Sequence, residues 1–237
     1  MRQATEFQLS FEAAVRAFWD VRAEQRDKQT REGKVDAGTR GAVTGGAHLD
    51  ALVAVISSVF EDAGIPATSI FNRKRLVLPG YFRPHKKWDI LVVHENKLVA
   101  AVELKSQVGS FGNNFNNRAE EAIGNASDLW TAYREGTFGT TKPWLGYFFL
   151  LENAPEVLRP VKDPAGIHFP ISEGFEGASY LMRYEEFCRR LLLERLYDSV
   201  CFVTSNADPA IPLRHPNADL SFEAFATSIQ ARVAAVG

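Results

Sequence analysis

Apolar residues open the chain at helical spacing. Phe7, Phe11, Val15, Phe18 and Val21 fall on one stripe of "EFQLSFEAAVRAFWDVRAEQRDK", which predicts an amphipathic helix with a charged outer face. The pattern then stops. "QTREGKVDAGTRGAVTGGAH" is polar and Gly-rich and predicts a long mobile loop, of a length that inside a compact domain points to function. A second helix is expected over "HLDALVAVISSVFEDAG", ending at Gly64, and "SIFNRKRLVLPGYF" reads as a strand with a basic interruption. "WDILVVHENKLVAAVELKSQ" reads as two strands joined at "HENK". Next comes an Asn- and Gly-rich loop, "SQVGSFGNNFNNR", and a helix, "AEEAIGNASDLWTAYREG". "KPWLGYFFLLE" predicts a buried strand, "ASYLMRYEEFCRRLLLERLYD" an amphipathic helix, "SVCFVTS" a short strand and "LSFEAFATSIQARVAAV" a closing helix.

This order predicts an α/β domain with a mixed central sheet flanked by helices, antiparallel at the hairpin and parallel where helices cross over. The 237 residues fit one domain, with a helical segment over about 1–45 and a core over about 46–237. Hydrophobic residues make up 46% and charged residues 24%, the profile of a globular protein with a real core. No apolar run approaches the roughly 18 residues that span a bilayer, and "MRQATEFQLS" is no signal peptide. A cytoplasmic protein is therefore expected. The two cysteines, Cys188 and Cys201, lack metal-type spacing and read as buried free thiols.

Net charge is −2, and its distribution says more than its size. Between Ala63 and Trp88 there is no acidic residue, while Arg73, Lys74, Arg75, Arg83, Lys86 and Lys87 are all basic. Such asymmetry predicts a surface facing a polyanion, the alternative being a solvated basic face.

Three polar residues interrupt the hairpin: Asp89 at its start, Glu103 and Lys105 near its end. Side chains alternate along a strand, so Glu103, Lys105 and Gln107 share one face. Asp89 joins them only if it pairs opposite Glu103. A three-residue loop, Glu95 to Lys97, gives that register, as does a bulge. A two-residue turn at Glu95-Asn96 alone sets Asp89 opposite Val102, on the other face. In the first register two carboxylates converge on one hard divalent cation, Mg²⁺ being typical, with a lysine beside it. That arrangement suits phosphodiester hydrolysis. The plain alternative is an aspartate at a strand entrance and a surface Glu-Lys salt bridge.

The following segment offers Ser110, Asn113, Asn114, Asn116, Asn117 and Arg118. Asn pairs bidentately with adenine and Arg with guanine in the major groove. Read structurally, the same residues form a turn with Asn117 capping the next helix.

Asp89 followed by Glu103-Leu104-Lys105 on the next strand resembles the pattern of the PD-(D/E)xK nuclease superfamily. "VELKSQVGSFGNNFNNRAEEAIGNASDLW", the "GGAHLDAL" helix and the chain length are similar to XhoI-type restriction endonucleases over nearly the whole chain. Trp88 stands where the superfamily's motif has proline. The resemblance implies a restriction-endonuclease-like core and a homodimeric type II enzyme. It implies Mg²⁺-dependent cleavage of double-stranded DNA at a palindrome, CTCGAG in this group, leaving 5'-phosphate ends. It also implies a companion DNA methyltransferase, and an additional carboxylate from the helix before the triad, for which Asp50 is the candidate. His48 beside it reads as a helix-start or phosphate-contacting residue. The Phe-rich first helix is the expected dimer surface.

Two other readings compete. A DNA-binding module without catalysis has no use for the Asp89, Glu103 and Lys105 set. A small-molecule α/β enzyme calls for a Gly-rich phosphate loop after a strand, whereas "VTGGAH" follows a loop and lacks the P-loop lysine.

Overall fold

The computed structural model describes residues 2–31, 47–164 and 168–236. The loop expected before the second helix lies almost wholly outside the described residues. A short 3-10 turn, closed by a reciprocal Gln3–Glu6 capping box, leads into α1 (Gln8–Arg31). Helix α2 (Asp50–Asp62) follows, then β1 (Ile70–Phe71). The single strand expected over this region is not continuous. The basic run Asn72–Arg75 breaks the apolar pattern, Arg75 turns the chain with φ 59, and a separate ribbon forms from β2 (Val77–Pro79) and β3 (His85–Lys87).

Strands β4 (Ile90–His94) and β5 (Lys97–Gln107) form the hairpin. Helix α3 (Phe111–Arg134), β6 (Trp144–Glu152), the short α4 (Pro155–Leu158), α5 (Tyr180–Leu193), β7 (Ser199–Ser205) and α6 (Phe222–Ala234) complete the order. The five-stranded sheet runs β1-β4-β5-β6-β7, antiparallel on the β4 side and parallel from β5 onward. The expected mixed sheet is present.

The hairpin combines two of the anticipated geometries. Its turn is the two-residue one, with Glu95 and Asn96 both left-handed at φ 48 and 59, as a type I′ turn requires. Val93 pairs with Leu98, but Val92 pairs with Ala100, so Val99 is bulged. The bulge moves the register by one, so that Ile90 faces Val102 and Asp89 comes opposite Glu103. The side chains agree: Val99 and Ala100, although consecutive, both enter the same core cluster.

One face of the sheet is covered by α1, α2 and α6, the other by α3 and α5. Phe7, Phe11 and Phe18 of the N-terminal stripe are wholly buried under the first face. Phe11 stacks on Phe222 at 4.1 Å. The Phe-rich side of α1 is therefore occupied within the subunit, and a partner could meet only its charged side. The second face carries three fully buried tyrosines, Tyr147, Tyr184 and Tyr197. Cys188 and Cys201 are buried and free, as expected.

The segment after β5 differs from the reading as a loop. Gly109 (φ 66) and Ser110 (φ 47) turn the chain sharply, and α3 begins at once, so Asn113 to Arg118 form its first turns. Asn117 is not the N-cap. That position falls to Ser110, whose side chain makes no capping bond. Packing overrides the weak helix propensity of Gly and Asn: Phe111 is buried, and Phe115, one turn on, lies 5.0 Å from the Tyr184 ring.

Candidate active site

Glu103 and Lys105 point from β5 toward the α3 side, and the bulge brings Asp89 to the same side. The Asp89 carboxylate accepts the Leu104 backbone N–H at 2.7 Å, and its own N–H donates to the Val102 carbonyl at 3.2 Å. Both bonds hold the first carboxylate against the strand that carries the second. Glu103 is only 2% exposed. Its Oε1 lies 2.5 Å from Lys105 Nζ and its Oε2 2.6 Å from Lys86 Nζ.

Lys86 was expected to be one of several phosphate contacts, but the structure sets it inside the cluster. It lies opposite Leu78 in the β2–β3 ribbon, on the face turned inward, and its ammonium sits over the Trp88 ring at 4.4 Å. Strand alternation could not have found it. Counting back from Asp89 selects Lys87, but the chain leaves strand geometry at Trp88 and Asp89 between β3 and β4, which reverses the parity.

These groups alter one another's proton affinity. Burial pushes the Asp89 carboxyl up, and the Glu103 charge adds to it. Burial is also the largest effect on both lysines. It prevails at Lys86, which is lowered despite Glu103, whereas at Lys105 the attraction of Glu103 and Asp89 outweighs it and the net shift is upward. Two like-charged carboxylates under one roof are held by cations. Breaking such a buried pair by removing one partner typically costs about 3–5 kcal/mol.

The donor set fits a hard divalent cation. Asp89 and Glu103 supply carboxylate oxygens already matched to positive charge. Among the described residues no group of three or more His, Cys, Asp or Glu side chains could hold a metal. Two protein carboxylates, with water and phosphate oxygens completing the shell, is a common Mg²⁺ arrangement.

The remaining candidates divide. Arg73, Lys74 and Lys87 are exposed. Arg83 instead pairs with Asp128 at 2.8 Å and donates to Asn125 at 2.8 Å, which ties it to α3 rather than leaving it free for phosphate. The same Asp128 accepts the Tyr81 and Phe82 N–H groups, each at 2.8 Å. A Cβ on Gly80 would come within 2.5 Å of Asp128, so this grip requires glycine there. It leaves Tyr81 and Phe82 exposed at the ribbon tip, a feature that sequence reasoning missed because Asp128 lies 45 residues away from Arg83.

On α3, Asn113, Asn116 and Asn117 are exposed, while Asn114 is half-buried and donates to the Ser110 carbonyl at 2.9 Å. Arg118 pairs with Glu121 at 2.7 Å. Gln107 is buried and donates to the Gly109 carbonyl at 2.5 Å, so it supports the strand-to-helix turn rather than an open surface. Asp50 is exposed at the start of α2, the layer over the opposite face of the sheet, and its charge acts on His48. It is not drawn into the cluster. His48 itself is buried against Phe18.

A mixed five-stranded sheet with two carboxylates and a lysine at a bulged hairpin defines a restriction-endonuclease-like nuclease fold. Sequence comparison agrees. The family model described as "Restriction endonuclease XhoI" matches residues 28–212, and the chain belongs to that family. It is 45% identical over 210 residues to the type II restriction enzyme BstVI of Geobacillus stearothermophilus, covering 84% of this chain and 92% of that protein. It is 48% identical over 186 residues to the type II restriction enzyme XhoI of Xanthomonas vasicola, covering 76% and 73%. With the type II restriction enzyme AbrI of Azospirillum brasilense it shares 46% identity over 157 residues, covering 65% and 70%. No solved structure matches. Among the described residues no helix is long and apolar enough to cross a membrane.

Proposed function

We propose that this restriction endonuclease cuts both strands of double-stranded DNA at the palindrome CTCGAG, as a homodimer using Mg²⁺. The observation that carries the reading is the convergence of Asp89, Glu103 and Lys105 through the Val99 bulge.

Asp89 and Glu103 would hold the cation. Bound there, Mg²⁺ supplies Lewis acidity, offsetting charge that gathers on a phosphoryl group and making water a better acid. Lys105 stands where its ammonium stabilises that developing charge and orients the attacking water. The new bond joins water oxygen to phosphorus, and the bond to the 3'-oxygen breaks. The leaving oxygen takes a proton, so a 5'-phosphate and a 3'-hydroxyl remain.

Arg73, Lys74 and Lys87 supply exposed positive charge for the backbone. Asn113, Asn116 and Asn117 lie on one exposed stripe of α3, suited to base edges. A palindrome cut by one site per chain is matched by a two-fold dimer. A companion methyltransferase with the same specificity would protect host DNA.

The test is incubation with a plasmid carrying one CTCGAG site, with Mg²⁺ and with EDTA. One linear product with Mg²⁺ and none with EDTA is expected. A smear, or cutting at another sequence, would overturn the specificity; cutting in EDTA would overturn the metal requirement.

A further inference from the structure

We infer that Lys86 is a placeholder cation on Glu103 that makes metal binding depend on DNA. The inference rests on Asp89 and Glu103 being the metal site. Glu103 is buried, and each of its oxygens already holds an ammonium, Lys105 on Oε1 and Lys86 on Oε2. The two lysines differ in origin. Lys105 is two residues from Glu103 on one strand face, a fixed neighbour. Lys86 reaches in from the separate β2–β3 ribbon, its ammonium lying over Trp88.

Charge counting gives the consequence. Asp89 and Glu103 are matched by Lys86 and Lys105, so the closed cluster is neutral and has little pull on a divalent cation. With Lys86 withdrawn, the cluster is net negative and Glu103 Oε2 is open. Withdrawal into water alone would leave a buried charge unpaired, which is unfavourable. A phosphodiester oxygen at the rim of the cluster changes that balance, because it offers the partly exposed Lys86 ammonium a new anionic partner. Lys86 then exchanges Glu103 for phosphate while the cation exchanges solvent for Glu103. Linkage makes the effect reciprocal: DNA tightens metal binding and metal tightens DNA binding by the same factor. Lys86 acts through Glu103 and is thus a positioning residue.

Calorimetric titration with Ca²⁺ tests this, on the free full-length protein and on its complex with a CTCGAG duplex. Wild type should bind Ca²⁺ weakly alone and more tightly with DNA. Lys86→Met, which keeps the aliphatic stem over Trp88, should bind Ca²⁺ about tenfold or more tighter than wild type without DNA. The gain on adding DNA should shrink by a similar factor. Lys87→Met, which removes a neighbouring charge on the outward face, should leave DNA-free Ca²⁺ binding unchanged. Equal DNA-free affinity in Lys86→Met and wild type would overturn the inference, as would an equal effect of Lys87→Met.

Should Lys86→Met not fold, acylation of wild-type lysines read by mass spectrometry decides the matter. Lys86 should become more reactive at saturating Ca²⁺, and unchanged reactivity would overturn the inference. If the wild-type DNA complex takes up no Ca²⁺, or Asp89→Asn binds it as wild type does, the metal site itself is wrong. Intact metal binding with unchanged coupling in Lys86→Met removes only the inference.

Discussion

The two faces of the sheet share their strands but not their chemistry. Under α1, α2 and α6 the packing is dominated by phenylalanine, with Phe11, Phe18, Phe60, Phe148, Phe222 and Phe225 all fully buried. Under α3 and α5 the aromatic residues include Tyr147, Tyr184 and Tyr197, and the buried polar set includes Glu103 and Asp128. The first face favours stability, because buried rings need no partners. The second holds charge in a poorly solvated place, where each group depends on the next. The proposed active site thus lies on the face whose packing is least favourable by itself, as expected when an active site stores unfavourable electrostatics.

The largest effect that would sharpen this contrast is catalytic. Asp89→Asn keeps an oxygen for the Leu104 N–H but removes a charge that burial and Glu103 both disfavour. Cleavage should fall about 1,000-fold or more, while the thermal midpoint holds or rises and specific DNA binding persists. A variant that cuts normally, or that unfolds early, would break the contrast from the chemical side.

Phe11→Ala tests the other face. Removing a wholly buried ring that stacks on Phe222 should lower stability by about 3–5 kcal/mol, read by denaturant melts, with cleavage per folded molecule retained.

Acid should act on the Phe-rich face through His48. Its pKa is lowered to about 4, first by burial and then by Arg22. Between the ordinary value near 6.5 and about 4 the unfolded chain binds the proton and the folded chain does not, so stability falls as pH falls through that window. The loss approaches about 3 kcal/mol and levels off below it. His48→Gln should flatten that part of the stability profile, and an unchanged profile would relocate the acid sensitivity.

The smallest expected effect lies outside both faces. Neutralising exposed Arg73, Lys74 or Lys87 should change stability by less than about 0.5 kcal/mol. Each should reduce the salt dependence of DNA binding by about one counterion per lost phosphate contact. An unaltered slope in all three would make the basic segment a solvated face.

Much of this was legible in the sequence, and the failures have physical causes. Period-two and helical patterns located the sheet strands and the main helices because burial imposes them directly. The register that sets Asp89 opposite Glu103 was legible only as a choice, since a bulge at Val99 leaves no compositional mark. The start of α3 was missed because Gly112, Asn113 and Asn114 favour turns locally, whereas the tertiary contacts of Phe111 and Phe115 decide the outcome. Lys86 and the Asp128 grip on Arg83 depend on contacts between separate elements. No local pattern encodes those.

The Val99 bulge also sets a rule for lengths. With the two-residue Glu95-Asn96 turn, β5 carries one residue more than β4 between the turn and the level of Asp89 and Glu103, and the bulge takes it up. Regular pairing of Val99 with Val92 would therefore act like a reading-frame error in space, setting Asp89 opposite Val102 on the other side of the sheet while Asp89, Glu103 and Lys105 all remained in the chain. Deletion of Val99 would instead remove the extra residue and keep Asp89 opposite Glu103. The hairpin can accordingly drift in sequence at many positions, provided the extra residue of β5 stays out of the ladder, in a bulge or in a longer turn.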